Sequence, residues 1–357
     1  MSTPPTQFSA TMPVDALSAD LARIAAERRG THARTRHFAL FGRIFALEFL
    51  DMAVAEHITR PLAHLAVEGG QQIDAKITCW IGENSGDFPQ VRVGPEGFGL
   101  RCEAPGLSDD TRLTSYAPMG RILSQFDFRT MQGYHCIGDF KSMWRHEHAI
   151  PLRTLFSWVA LSFGIQLFHV GGVGSKDGCI LLSGRGGSGK SNTVATAINT
   201  DLGILGDDFC AIEERGGTMI AHALYSTSSV RRGDYVRNPA LADLPVLFDP
   251  EQPNAKLVHD LAQGAHMLAQ APVRAMAMVR QGGEAFGLKR IPAGAIARDL
   301  ALDTQTMLPY AQGEVMSMAG ALLRSVPAYV LELGPDPSAI APGLERLVAR
   351  AQAGALP

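Results

Sequence analysis

The run Gly178-Cys179-Ile180-Leu181-Leu182-Ser183-Gly184-Arg185-Gly186-Gly187-Ser188-Gly189-Lys190-Ser191 decides the fold that we expect. Its first six residues are typical of a buried strand, and a glycine-rich turn follows them. The last eight residues match G-x-x-x-x-G-K-[ST], a pattern in which a loop between a strand and a helix binds phosphate groups. We therefore predict a nucleotide-binding loop inside an α/β fold.

The composition of this loop explains how it would bind an anion. Its four glycines permit backbone angles that side chains block, so successive N–H groups can face one concavity. Lys190 adds a positive charge for the β and γ phosphates, and the Ser191 hydroxyl could ligate Mg²⁺. A helix from residue 190 to about 200 would add its N-terminal dipole. We predict ATP and Mg²⁺ as ligands, with the nucleotide held by Gly184, Arg185, Gly186, Gly187, Ser188, Gly189, Lys190, Ser191 and Asn192.

An acidic pair follows the loop closely. Asp207 and Asp208 lie in an apolar run, 204–212, which we predict to be one strand beside the loop strand in a short β-α-β unit. Adjacent carboxylates on a strand point to opposite faces, so separate roles are expected unless the strand ends or bends there. One carboxylate could hold Mg²⁺, and the other could accept the proton of an attacking hydroxyl. The alternative is a solvated turn, although burying two carboxylates without a cation is costly.

Three segments resemble, in their order, the HPr kinase/phosphorylase superfamily and its HPr-kinase-related bacterial proteins. They are LFHVGGV (167–173), GCILLSGRGGSGKS (178–191) and LGILGDDFCAIEE (202–214). The resemblance implies the phosphate-loop kinase core shared with phosphoenolpyruvate carboxykinase. It also implies His169 as an active-site histidine, Asp207 as the base and Asp208 as a Mg²⁺ contact beside Ser191. With Lys190, this gives the catalytic set Asp207, His169 and Lys190, and the residues leave open which aspartate is the base.

The chain departs from that family after the acidic pair. The Glu-Ile-Arg-Gly type of signature is absent from the corresponding region, which is LYSTSSVRR (224–232). In outline, the chain is similar to kinases that phosphorylate a hydroxyl of lasso-peptide precursors. Arg231 and Arg232 are candidates for contacting the transferred phosphate or an acidic substrate, because guanidinium groups stabilise charge on phosphoryl oxygens. Two ordinary surface arginines are the alternative.

The predicted reaction is Mg-ATP-dependent transfer of the γ-phosphate to a hydroxyl, with a Ser of a peptide or protein as the favoured acceptor. A kinase for a small hydroxylated metabolite is a second hypothesis, because it would use the same core. A third is an ATP-gated binding protein without transfer, against which the acidic pair argues. A transport ATPase is disfavoured, since the spacing between loop and acidic strand is short and no LSGGQ-like sequence is present.

Composition narrows the class of protein. The 357 residues are 46% hydrophobic and 19% charged, which suits two globular domains. A net charge of −3 argues against nucleic-acid binding, and five scattered cysteines suit reduced thiols in the cytoplasm. The first 15 residues lack the pattern of a secretory signal. The apolar stretch 155–174 is nearly long enough to span a membrane, but its glycines and His169 favour a buried helix followed by a strand. We predict a cytoplasmic protein without a membrane or nucleic-acid partner, and a homo-oligomer is left open.

Domain organisation is predicted from helix-start and helix-stop residues and from polar stretches of the chain. Residues 1–36 would be a mobile arm and a short helix that is capped by Asp15 or Ser18 and stops at Gly30, with 31–37 as a linker. Residues 37–148 would form a smaller accessory α/β domain, and 149–357 the kinase domain. His146-Glu147-His148 is interpreted as a polar domain boundary in preference to a metal site.

Further elements follow from hydrophobic periodicity. In the accessory domain we predict strands at 38–49, 73–81 and 90–93, and a helix at 50–67 that Pro61 interrupts. In the kinase domain we predict a loop at 239–256, a helix and then a strand within 261–280, a strand at 328–334 and a closing helix at 337–351.

Overall fold

The computed structural model describes residues 12–30, 32–84, 86–91, 97–252 and 254–357. Within those ranges the protein is mixed α/β, as predicted, with three sheets and eight α-helices. Residues 1–11 of the predicted mobile arm lie outside them. The helices are α1 (Val14–Arg28), α2 (Met52–Thr59), α3 (Arg145–Ala149), α4 (Arg153–Ser162), α5 (Lys190–Ala195), α6 (Ala293–Gln305), α7 (Gln312–Ser325) and α8 (Ile340–Gln352).

The first half of the chain forms a seven-stranded sheet. Its order is β3-β1-β2-β4-β7-β6-β5, and β2, β4 and β7 run parallel. The strands are β1 (Arg34–Leu40), β2 (Arg43–Phe49), β3 (Ala66–Val67), β4 (Ala75–Ile81), β5 (Arg112–Ala117), β6 (Ile122–Asp127) and β7 (Gln132–Ile137).

The start of this sheet differs from the prediction. Phe41 and Gly42, with φ of 56° and 71°, form a tight turn that divides the predicted strand 38–49 into the hairpin β1–β2. The predicted linker is also wrong, because residues 34–37 pair with β2 as part of β1. The boundary placed after residue 36 therefore falls inside a strand.

Helix α1 packs on the sheet through an apolar stripe. Leu17, Leu21 and Ile24 have at most 1% of their surface exposed, as expected for positions at helical spacing. The predicted caps are wrong: the helix begins at Val14 after Pro13, so Asp15 and Ser18 lie inside its first turns.

Of the other predictions for this half, those for the interrupted helix and the strand at 73–81 are confirmed, and that for the strand at 90–93 is not. Helix α2 ends at Thr59 and a 3₁₀ turn containing Pro61 follows, so the predicted interruption is confirmed. Strand β4 confirms the prediction at 73–81. Gln90 and Val91 are not in a strand, and the rest of the predicted strand 90–93 lies outside the described residues.

The second half forms a nine-stranded sheet and a three-stranded one. The larger follows β11-β9-β10-β17-β13-β12-β8, with β19 also beside β17 and β18 beside β19; the smaller is β14-β16-β15. The strands are β8 (Gln166–Phe168), β9 (Gly171–Ser175), β10 (Gly178–Ser183), β11 (Gly203–Gly206), β12 (Cys210–Arg215), β13 (Thr218–His222), β14 (Thr227–Arg231), β15 (Val246–Phe248), β16 (Lys256–Asp260), β17 (Gln270–Gln281), β18 (Gly287–Arg290) and β19 (Ala328–Leu333).

The acidic strand is not the direct neighbour of the loop strand. Strand β9 lies between β10 and β11 and pairs antiparallel with both. Two glycines of β9 make this possible: a Cβ on Gly171 would lie 2.5 Å from Val194 Cγ2, and one on Gly172 would lie 3.0 Å from Leu205 Cβ. The predicted β-α-β unit is therefore wrong in its pairing, because β9 lies between its two strands.

The region 261–280 is mostly strand. A 3₁₀ turn covers Leu261–Gln263, and β17 runs for twelve residues, so the predicted helix is wrong and the predicted strand is longer than expected. Alanine and methionine favour helices, but burial between β10, β13 and β19 overrides that preference. The predicted loop 239–256 contains a 3₁₀ turn and β15, whereas β19 and α8 confirm the last two predictions.

The largest cluster of buried apolar side chains joins both halves. Phe45 of β2 meets Phe156 of α4 edge to face at 5.8 Å between ring centroids, and Phe156 also lies against Tyr225. The stretch 155–174 forms α4, β8 and β9, which confirms the predicted buried helix followed by a strand. Among the described residues, no helix is both long and apolar enough to cross a membrane.

Candidate functional site

The phosphate-loop motif has the local structure that the sequence predicts. Strand β10 ends at Ser183, the loop spans 184–189, and α5 begins at Lys190. Gly184, Gly187 and Gly189 have φ of 156°, 88° and 99°, which favour glycine. A Cβ on Gly189 would also lie 2.8 Å from Leu333 Cδ1. The strand, loop and helix are therefore confirmed.

The helix after the loop is shorter than predicted. Six residues are α-helical, and a 3₁₀ turn from Thr196 to Asn199 continues it. Because an α-helix of six residues has few aligned peptide dipoles, its dipole adds little. The attraction for anions therefore depends on the loop amides and on Lys190.

A cavity of about 120 Å³ lies over this loop. All nine residues from Gly184 to Asn192 line it, as predicted for the nucleotide-binding set. Three other predicted site residues also line it: His169, Asp208 and Arg231. Asp207 and Arg232 are not in its lining, and the Arg232 guanidinium instead pairs with Asp249 at the surface.

The acidic pair lies in a bend and not within a strand. Strand β11 ends at Gly206 and β12 resumes at Cys210, so the predicted strand 204–212 is wrong at its centre. Because of the bend, both carboxylates approach one ammonium group: Lys190 Nζ lies 3.7 Å from Asp207 Oδ1 and 3.6 Å from Asp208 Oδ1.

The two aspartates have different surroundings. Asp207 is 1% exposed, and its Oδ2 accepts a hydrogen bond of 2.7 Å from the Ser228 hydroxyl. Its backbone carbonyl also accepts a hydrogen bond from Lys190. Asp208 faces the cavity instead. Burial raises the pKa of Asp208, but His169, Lys190 and Lys256 lower it well below its usual range, so this carboxylate is ionised at neutral pH.

His169 joins the cavity to a second carboxylate. It follows β8, and its ring stacks on Phe209 with centroids 5.4 Å apart. Its Nε2 lies 3.6 Å from Asp208 Oδ1, and its Nδ1 lies 2.8 Å from Asp303 Oδ2. Burial and Lys190 lower the pKa of His169, yet the nearby carboxylates of Asp208 and Asp303 outweigh them and the pKa is raised. An imidazolium between two carboxylates is therefore favoured.

Sequence reasoning missed several residues of the site. Asp303 lies on α6, far from the motifs, and no local pattern marks it. Lys256 lies at the start of β16, where it pairs in register with Arg231, and both line the cavity. The Gln281 amide at the end of β17 donates a 3.0 Å hydrogen bond to the Gly187 carbonyl. Lys256 was inside the predicted loop 239–256, so only its charge could have singled it out.

The His146-Glu147-His148 segment forms most of α3. The His148 ring stacks on Phe248 at 3.9 Å between centroids and meets the His57 ring edge to face at 4.9 Å. His146 lies close enough to Asp208 to feel its charge, but burial and nearby arginines lower its pKa to about 4. Among the described residues, no group of three or more His, Cys, Asp or Glu side chains is arranged to hold a metal ion.

No known family model matches this chain, and no curated protein is detectably similar to it in sequence. The resemblance to the HPr kinase superfamily therefore depends on the three short segments that suggested it.

Proposed function

We propose that the protein is a Mg-ATP-dependent phosphotransferase with a phosphate-loop kinase core, which transfers the γ-phosphate to a hydroxyl, with a Ser of a peptide or protein as acceptor. One observation carries the proposal: the phosphate loop and the Asp208–His169 pair line the same cavity. A phosphate donor and a group that accepts a proton would thus meet at one point, which phosphoryl transfer requires.

Unpartnered polar atoms support phosphate binding in this cavity. The hydroxyls of Ser188 and Ser229 are buried, line the cavity and have no hydrogen-bond partner among the described residues. A buried hydroxyl without a partner is costly, and a phosphate oxygen would satisfy it. Lys190, Arg231 and Lys256 surround the same space with positive charge.

The oxygen atoms of the cavity fit Mg²⁺ but not a metal held by protein alone. Ser191 and Asp208 both line it, and Mg²⁺ typically takes one or two protein oxygens together with water and phosphate oxygens. These two residues would hold the ion. When bound, Mg²⁺ neutralises charge on the β and γ phosphates.

Asp208, and not Asp207, is the carboxylate that an acceptor hydroxyl would reach. Asp207 is enclosed by Ser228 and Lys190, so we assign it the positioning of Lys190. Asp208 would receive the acceptor proton, and the neighbouring His169 would hold this carboxylate in place. The metal and base roles then fall on the same side chain. Testing whether ATP affinity of Asp208→Asn still depends on Mg²⁺ separates them.

The position of the cavity supports a long acceptor. On the side of β14, Arg231 is exposed and Asp234 is half-buried, so a polypeptide segment could lie across this edge without entering an enclosed pocket. A small metabolite would need to be enclosed to bind tightly.

Incubation with γ-labelled ATP, Mg²⁺ and two acceptor pools tests the proposal. Label on Ser-containing peptides is the expected result, and Asp208→Asn should abolish it. Arg232→Ala is the matched control for Arg231→Ala, because only Arg231 lines the cavity. Label on hydroxylated metabolites alone would overturn the peptide acceptor, and ATP binding without transfer to either pool would overturn the kinase.

A further inference from the structure

A second cavity adjoins the phosphate cavity. Its volume is about 180 Å³, and it shares Gly189, Asn192 and Gln281 with the first. The two spaces therefore meet at the start of α5. A ligand whose phosphates lie on the loop would extend into this second cavity.

The lining of this second cavity is mostly main chain and apolar side chains. One side is backbone of two glycine-containing turns, Gly282-Gly283 and Gly334-Pro335, and the floor includes Leu333 and Ile340, which are 6% and 8% exposed. A Cβ on Gly283 would lie 2.8 Å from Glu332 Cβ, and one on Gly334 would lie 2.9 Å from Ala285 backbone atoms, so the turns pack closely together. Arg237 and Thr196 also line the cavity, and a mostly apolar lining with a few polar groups is typical of cofactor pockets.

Two buried amide atoms of residues that line this cavity have no hydrogen-bond partner among the described residues. Asn238 is 2% exposed and lines the cavity. Its Oδ1 accepts a hydrogen bond from Asn199, but its Nδ2 has no partner among the described residues. Asn192 lines the same cavity, and its buried Oδ1 also has no partner. The cavity thus contains one unused donor and one unused acceptor, and each is costly to bury alone.

We propose that this cavity binds the adenine ring of the nucleotide, with the Asn238 amide donating to a ring nitrogen and the Asn192 carbonyl accepting from the exocyclic amine. The inference rests on the proposed function, since it names the base of the same nucleotide. Adenine presents an acceptor beside a donor on one edge, and amide side chains pair with that edge. Guanine presents two acceptors on the corresponding edge, so the Asn192 carbonyl would face an acceptor and the amide would have to turn over to pair. Asn238 and Asn192 would therefore determine nucleotide specificity.

Titration calorimetry of the full chain with ATP, GTP, CTP and inorganic tripolyphosphate tests this. Wild-type protein should bind ATP about tenfold more tightly than GTP, and more tightly still than tripolyphosphate. Asn238→Ala should weaken ATP about tenfold and leave tripolyphosphate unchanged. The exposed Asn84→Ala is the control and should change neither affinity.

The wild-type series needs no variant, so it decides the question even if Asn238→Ala does not fold. Equal affinity for ATP and tripolyphosphate, with both lost in Lys190→Ala, would overturn the adenine site and leave the phosphate site standing. Equal affinity for ATP and GTP would overturn the assigned roles of the two asparagines. Failure of every ligand to bind would overturn both this inference and the proposed function.

Discussion

His169 and His148 lie in two regions that shift the pKa of a histidine in opposite directions. His169 stands between two carboxylates, and its pKa is raised. His148 stacks on Phe248 beside His57 at the junction of the two halves, and burial lowers its pKa to about 4. The sequence around either histidine does not predict this difference in pKa. The folded surroundings therefore decide which histidine is charged, and the phosphate cavity holds a buried cluster of charge in Lys190, Asp208 and His169.

The largest expected effect comes from removing a buried charge from the phosphate cavity. Replacing Lys190 with Met removes the ammonium that faces both aspartates and the loop, so phosphoryl transfer should fall about a thousandfold. Steady-state kinetics with saturating acceptor would measure it. The thermal midpoint should be recorded alongside, since unchanged transfer in a folded variant would contradict the role of Lys190.

A paired substitution of the two histidines sharpens the contrast. His169→Gln removes the cation beside Asp208, and transfer should fall about a hundredfold with little change in ATP affinity. His148→Gln loses a stacked ring and should cost about 1 kcal/mol in the free energy of unfolding while transfer stays normal. Measuring kcat and urea unfolding for both variants would separate them; equal losses of kcat would remove the distinction.

Mild acid should destabilise the fold through its buried neutral histidines. Burial lowers the pKa of His57 to about 3 and those of His64, His135, His146 and His148 to about 4. Between these values and the unfolded value near 6.5, the unfolded chain binds protons that the folded chain excludes. The stability that these five histidines contribute is thus complete above that value and falls as pH decreases, by up to about 1.4 kcal/mol per pH unit for each of them. His169, whose pKa is raised, contributes in the opposite direction.

Urea unfolding at pH 7 and pH 5 would measure this decline. His57→Phe should reduce the pH dependence, and the exposed His32→Phe is the control. Stability that rises between pH 7 and pH 5 would contradict the burial of neutral histidines.

The smallest effect concerns the two neighbouring arginines. Arg232 pairs with Asp249 at the surface, where both side chains are more than a third exposed, so Arg232→Ala should change the free energy of unfolding by less than about 0.5 kcal/mol. Arg231→Ala should instead reduce transfer about tenfold, because Arg231 lines the cavity. Identical kinetics for the two variants would show that Arg231 does not contribute to transfer, although it lines the cavity.

The parts of this protein that the sequence predicts are those fixed by neighbouring residues. The loop from Gly184 to Ser191 needs particular backbone angles, which only its glycines supply. Its shape could therefore be predicted from these eight residues alone. Strand β19 and helix α8 likewise follow from local periodicity.

The parts that could not be predicted depend on pairing between distant segments. Asp303 reaches His169 only because α6 lies beside the end of β8, and Lys256 enters the cavity only through the register of β14 and β16. The different surroundings of Asp207 and Asp208 also could not be predicted, since the bend at 207–209 lies where the chain leaves β11, which pairs with β9, and enters β12, which pairs with β8.

The two glycines of β9 have a consequence for how this site could persist through sequence change. Gly171 packs against Val194 of α5 and against the carbonyls of Gly206 and Asp207, so a side chain there would push the helix that begins at Lys190 away from the acidic bend. An alanine at position 171 would therefore disturb the site more than many changes on the surface, because its Cβ would lie 2.5 Å from Val194 Cγ2.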